Sequence, residues 1–273
     1  MKKSLIILFL ICFTVCPAFS AVDRYSKEYL QSGKHFSIMN PIVEKIVEKG
    51  IKSALKKETG AKFDVRFTGY TTSSMKKGIF KFIEIFGRDL TVNNIPIQYA
   101  HLKSLSDYNY IDYTKNPIEF KSDMEFMYNM EITDESINAA LNNKKYQNIL
   151  KNVNNIAYPL FVAKGVKTKI VKDKMYIVLE YNFPIVKASK DKTFVISSDF
   201  QVVDSKVKAK NVHLDSAYGN IPLDKVANLI NLLNPLEFTL ELLETKQCHG
   251  IIENVNIFDN KVKVNGKIFV KGD

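Results

Sequence analysis

Gly78-Ile79-Phe80-Lys81-Phe82-Ile83-Glu84-Ile85-Phe86-Gly87-Arg88-Asp89-Leu90 is the stretch that decides the fold class. Alternate side chains of an extended chain point to opposite faces, so Ile79, Ile83 and Ile85 share one face and Phe80, Phe82 and Phe86 the other. A strand apolar on both faces has to be covered on both. Asn93-Asn94 is a turn signal, and Ile95, Ile97 and Tyr99 begin the next strand. Upstream, Phe63, Val65 and Phe67 alternate with Asp64, Arg66 and Thr68. Downstream, from Pro117, the apolar set Ile118, Phe120, Met124, Phe126, Tyr128 and Met130 alternates with Glu119, Lys121, Asp123, Glu125 and Asn129.

Helices flank these strands. Asn40-Pro41 predicts a start, with Asn as N-cap and Pro at the first helical position, and Gly60 a stop. Between them Ile42, Val43, Ile46, Val47, Ile51, Ala54 and Leu55 recur at three- and four-residue spacing. Lys45, Lys49, Lys52, Lys56 and Lys57 take the other side, where Glu48 and Lys52 are spaced to pair. This helix suits core packing, with docking on a membrane surface as the alternative. Thr133 opens a second helical stretch through Ile137, Ala140 and Leu141, broken near Asn142-Asn143 and resumed through Tyr146, Ile149, Leu150 and Val153.

The second half returns to strands at 166–171, 175–183, 193–203 and 206–214, with a turn at Lys172-Asp173-Lys174. A third helix is predicted over residues 223–233, then extended segments at 238–242, 251–258 and 262–270 with a turn at Asp259-Asn260. No linker or tandem repeat divides the chain. The reading is α+β, a long curved antiparallel sheet wrapped around amphipathic helices in a single domain over 40–273, preceded by a loosely held lead-in at 21–39.

The first twenty residues stand apart. Lys2 and Lys3 precede an apolar run from Leu5 to Cys16, and Ala18-Phe19-Ser20 places small residues for a cut before Ala21. That pattern is a cleaved secretory signal, and the run is shorter than the roughly 20 residues a span needs. Its loss takes the net charge from +10 to +8 and leaves Cys248 as the lone cysteine, which excludes an internal disulfide. The basic excess does not indicate nucleic acid. Only Arg24, Arg66 and Arg88 are arginines, and base and phosphate recognition favours the arginine fork. Lysines at 167 and 169, at 206, 208 and 210, and at 261, 263 and 267 alternate with apolar residues. They read as the wet faces of strands, or else as a weak attraction to an anionic lipid surface.

Catalytic signatures are absent: no phosphate-cradling glycine loop, no nucleophile elbow and no paired Cys or His spacing for zinc. No cofactor and no metal are expected. Cys248-His249 is the one adjacent nucleophile and base, but strand neighbours point to opposite faces. The informative feature is the supply of Phe, Tyr and Met on long strands. Either they fill an ordinary core, or they line an elongated cavity that shelters acyl chains, two of which cost on the order of 20 kcal/mol in water. The candidate lining is Phe120, Met124, Phe126, Tyr128 and Met130 facing Ile177, Leu179 and Phe183, with Phe80, Phe82 and Phe86 nearby.

The segments Met75–Leu90, Val92–Ile97, Ile132–Leu141 and Ile251–Gly266, in this order after an N-terminal helix and strand, resemble the LmeA-like family of exported bacterial phospholipid-binding proteins. That family is similar in layout to tubular lipid-binding, or TULIP-like, domains. The resemblance spans roughly Pro41 to Val270. It implies an elongated barrel or half-tube, non-enzymatic binding of phospholipid or a similar acyl-chain ligand, and a site in the periplasm or on the outer face of the cytoplasmic membrane. An envelope interaction protein with a fully packed core and an envelope hydrolase using scattered His, Asp or Cys248 stand as alternatives.

Overall fold

The computed structural model describes residues 23–33, 39–115, 119–157, 162–182, 192–214, 234–243 and 249–272. The apolar leader, the helix expected at 223–233, Phe183 and Cys248 lie outside the described residues, as does the side chain of His249.

The elements in chain order are α1 (Lys27–Gln31), α2 (Asn40–Thr59), β1 (Lys62–Gly69), α3 (Thr72–Lys76), β2 (Ile79–Val92), β3 (Ile95–Ser104), β4 (Asn109–Asp112), β5 (Glu119–Phe120), β6 (Met124–Ile132), α4 (Asp134–Leu141), α5 (Lys144–Ala157), β7 (Val162–Val171), β8 (Lys174–Asn182), β9 (Lys192–Val203), β10 (Lys206–Leu214), α6 (Pro235–Leu243), β11 (His249–Phe258) and β12 (Lys261–Val270). The fold is α+β and mostly antiparallel sheet. One sheet runs β11-β12-β6-β3-β2, with β1 on the far side of β2. Beyond the end of β3, β4 pairs with Ile79 and Phe80 of β2, and β5 pairs with β4. The second sheet is the meander β10-β9-β8-β7. Both sheets are open, and no closed barrel is found among the described residues.

Turn chemistry fixes the registers. Asn93-Asn94, Asp204-Ser205 and Asp259-Asn260 each hold positive φ at both residues, the two-residue hairpin geometry whose twist matches that of paired strands. The helix breaks follow the sequence too. Thr133 caps α4 through Ser136, the chain turns at Asn142-Asn143, and Gly60 ends α2 at φ 73 with its N–H on the Lys56 carbonyl.

Four expectations change. Asn40 is the first residue of α2 rather than its cap, because its amide is drawn into tertiary bonds: it donates to the Tyr70 carbonyl at 2.8 Å and accepts the Thr72 hydroxyl at 3.1 Å. Lys52 pairs with Asp64 at 3.0 Å rather than with Glu48. The segment 238–242 is helical, since Asn234 accepts the N–H groups of Leu236 and Glu237 and Pro235 opens α6. The lead-in is partly anchored: Leu30 of α1 is buried, and Gln31 donates to Asp107 at 2.8 Å.

Strand edges are closed by helix side chains. On β1, Glu44 and Glu48 of α2 accept the N–H groups of Gly69 and Phe67 at 2.9 and 3.1 Å. On β7, the amide of Asn138 exchanges two hydrogen bonds with the backbone of Thr168, and that of Asn154 does the same with Ala163. On β10, Asn234 donates to the Val207 carbonyl. Open backbone that would otherwise pair with another chain is thereby occupied.

Two apolar cores share the large sheet. One lies under α2 and holds Val43, Ile51, Val65, Phe67, Phe80, Ile83, Met124 and Phe126. The other joins the small sheet, α4, α5 and α6 to Leu90, Ile97, Ile132, Val255, Val262 and Val264. The lysines at 167, 169, 206, 208 and 210 are exposed, alternating with buried Val166, Thr168 and Val207, as wet strand faces require.

Candidate functional site

A half-open cleft of about 290 Å³ lies on the inner face of the large sheet, where residues of both cores meet. The ladder registers build its floor in rows. One row crosses Gly87, Ala100 and Met130. The next crosses Ile85, Leu102, Tyr128, Gly266 and Ile252, and beyond it Ile268 stands across the ladder from Gly250. Phe63 of β1 and Leu240 of α6 close the sides, and Leu90, Val92 and Ile97 complete the rim. The lining is almost wholly apolar. Ionised groups have no solvation in such a site, whereas hydrocarbon does.

The space exists because small residues stand in the floor. A Cβ on Gly87 would fall 2.7 Å from the Phe63 ring, its ladder partner. A Cβ on Gly266 would fall 2.0 Å from the Ile251 carbonyl oxygen and 2.8 Å from the ring of Tyr128, its partner across the ladder. Each aromatic ring leans over a glycine, a pairing that restores the packing a glycine forfeits in a strand. Ala100 and Gly250 add little volume between them.

The expected lining residues divide by location. Tyr128 and Met130 border the cleft. Met124 and Phe126 share their face but are buried under α2, and Phe120 packs against the same core. Phe80 is buried there too, with its ring 5.2 Å from Phe67. A register shift beside Gly69 makes Lys81 the extra residue of a bulge, which turns Phe80 to the inner face and away from Phe82 and Phe86. Phe82 and Phe86 occupy the outer face of the sheet, because they share ladder parity with the outward set Glu84, His101 and Lys103. There Phe86 stacks on His101 at 4.3 Å, Arg66 lies over Phe86, and Lys103 lies over Phe82. Ile177 and Leu179 are in the small sheet, packed in the second core rather than facing the cleft. Phe183 lies outside the described residues.

Phe63, Ile85, Leu102, Ile252 and Ile268 also line the cleft, outside the set expected from the sequence. The alternation placed Ile85 on the opposite face of β2 from the phenylalanines, and that isoleucine face is the one that looks inward. Large aromatic side chains outweighed it as a signal, yet Phe82 and Phe86 are served on the outside by cations and an imidazole.

Polar groups gather on that outer face. Glu84, 9 % exposed, takes the Arg66 guanidinium at 3.2 Å and His101 Nε2 at 2.9 Å. Lys261 and Lys267 pair with Glu131 and Glu125 at 2.9 and 2.8 Å. His101 and Asn129 also border the cleft, although ladder parity with Glu84 and Phe86 puts the His101 side chain on the outer face of the sheet. At the second core, burial drives the Tyr146 hydroxyl well above the ordinary tyrosine range, and the side chain is a packing element. Among the described residues no cluster of three His, Cys, Asp or Glu is placed to hold a metal ion. No helix among them is long and apolar enough to cross a membrane. No protein-family model, no curated protein and no solved structure matches this chain.

Proposed function

We propose that the protein is a non-enzymatic, extracytoplasmic lipid-binding protein that shelters an acyl chain in the cleft between its two cores. The observation that carries this reading is the apolar cleft itself, about 290 Å³ in volume and open on one side. Small-molecule sites run from about 300 to 1,000 Å³, so the volume favours one hydrocarbon chain over the two of a whole phospholipid, whose headgroup would stay in water. The long antiparallel strands with α2 against their inner face are consistent with a TULIP-like half-tube and with the LmeA-like resemblance. The short basic–apolar leader supports export. Native mass spectrometry of the purified protein tests the proposal: a bound lipid mass that disappears in Ala100→Phe is expected, and a ligand-free protein that takes up no added fatty acid overturns it.

A second reading, an envelope interaction protein with a filled interior, is favoured by one finding. Phe80, Met124, Phe126, Ile177 and Leu179, all candidate lining residues, are packed in the cores. The same experiment separates the two.

A further inference from the structure

Helix α2 carries two apolar faces, and the large sheet uses only one. Val43 and Ile51 are buried against it, whereas Met39, Ile42 and Ile46 are 53 %, 54 % and 48 % exposed. Those three recur at three- and four-residue spacing and so form one stripe. The charges are sorted as well. Both glutamates of the first half, Glu44 and Glu48, turn inward to accept backbone N–H groups of β1. Lys45 and Lys49 stay exposed on the flank of the stripe, and no ion pair holds either of them among the described residues. At the start of the helix, Asn40 binds the Tyr70 carbonyl, and the Tyr70 and Tyr108 rings lie 6.5 Å apart.

We propose that this outer face of α2 docks on an anionic membrane surface, with Met39, Ile42 and Ile46 entering the headgroup–acyl boundary and Lys45 and Lys49 meeting acidic headgroups. Charge complementarity selects this occupant: a stripe flanked on its exposed side by lysines, with its acids withdrawn into the protein, matches a lipid surface of negative potential. The inference goes beyond the cleft reading and stands without it. Its position beside the large sheet would bring the protein to its lipid source.

Sedimentation of the full chain with phosphatidylcholine vesicles, with and without phosphatidylglycerol, tests it. Binding is expected to need the acidic lipid and to weaken with salt. The double variant Ile42→Asn/Ile46→Asn, and separately Lys45→Glu/Lys49→Glu, is expected to lose at least about tenfold in vesicle affinity, since each basic residue near the surface contributes roughly fivefold. All four positions are exposed. Circular dichroism checks that the variants are folded, and the single Ile46→Ser serves if a double variant is not. The cleft variant Ala100→Phe is expected to bind vesicles as the parent does, which keeps failure of this proposal distinct from failure of the cleft reading. Equal vesicle binding by parent and α2 variants overturns the proposal. So does a dimer of the parent, seen by analytical ultracentrifugation, that the Ile42→Asn/Ile46→Asn variant dissociates without a change in vesicle binding.

Discussion

Tyr128 stands directly across the β6–β12 ladder from Gly266, and its ring, with the Ile251 carbonyl, fills the place where a side chain at 266 would be. The same arrangement links Phe63 to Gly87 at the other side of the cleft. Two aromatic–glycine pairs therefore set the shape of the apolar floor: the glycines withhold volume, and the rings cover what the glycines leave bare.

Gly266→Ala puts a methyl against the Tyr128 ring and the Ile251 carbonyl. The Cβ would lie 2.0 Å from that carbonyl oxygen and 2.8 Å from the ring, so strand backbone and ring both have to shift. Overpacking of this kind costs about 1–3 kcal/mol. Urea unfolding is expected to show a loss of at least that size, and unchanged stability would contradict the close approach of the Ile251 backbone and the Tyr128 ring at this position.

Asn138 and Asn154 act as substitute strand partners for β7. Thr168 and Ala163 are each 4 % exposed, and each has its N–H and carbonyl bonded by one asparagine amide. Asn138→Ala leaves two buried backbone groups unpaired, at a cost of about 2–4 kcal/mol. Denaturant titration reads the loss, and a rise in aggregation at high protein concentration is expected with it, because the β7 edge is freed.

Glu237 supplies a pH test. Partial burial, and then the neighbouring Glu241 carboxylate, raise its pKa above the usual carboxylate value, with Lys206 and Lys208 acting the other way. An acid whose folded pKa is raised opposes folding once ionised. The penalty is absent below the ordinary carboxyl range and grows as pH rises through the unfolded and then the folded value. Glu237→Gln is therefore expected to stabilise the protein slightly at pH 7, by less than about 1 kcal/mol at a half-buried site, and to make no difference near pH 3. Thermal unfolding at the two pH values checks it, and equal effects at both would contradict the assignment.

Local signals in the sequence carried much of the fold. Gly60, Asn93-Asn94, the break at Asn142-Asn143 and the turn at Asp259-Asn260 are all where short-range chemistry demands them. Asn234-Pro235 repeats the start signal of Asn40-Pro41, but the alternation of Phe238, Leu240 and Leu242 imitates a strand and masked it. The cleft was hardly legible. It depends on which face of β2 looks inward, and both faces are apolar, so periodicity alone does not choose. It also depends on what Gly87, Ala100, Gly250 and Gly266 lack, and an absence of volume matters only once the ladder registers put those positions side by side. The bulge at Lys81 defeated strict alternation in the same way, because one extra residue turned Phe80 inward while Phe82 and Phe86 stayed outside.

Titration with a fluorescent single-chain fatty acid tests the central claim most directly. Ala100 lies in the floor beside Gly87 and Met130, so Ala100→Phe places a ring in the cleft without cutting any ladder bond. The account predicts saturable uptake of one probe per chain by the parent and at least about a tenfold weaker uptake by Ala100→Phe, a loss of roughly 1.4 kcal/mol or more, with both proteins folded by circular dichroism. Absence of saturable uptake in the parent, or equal uptake by both proteins, would contradict it.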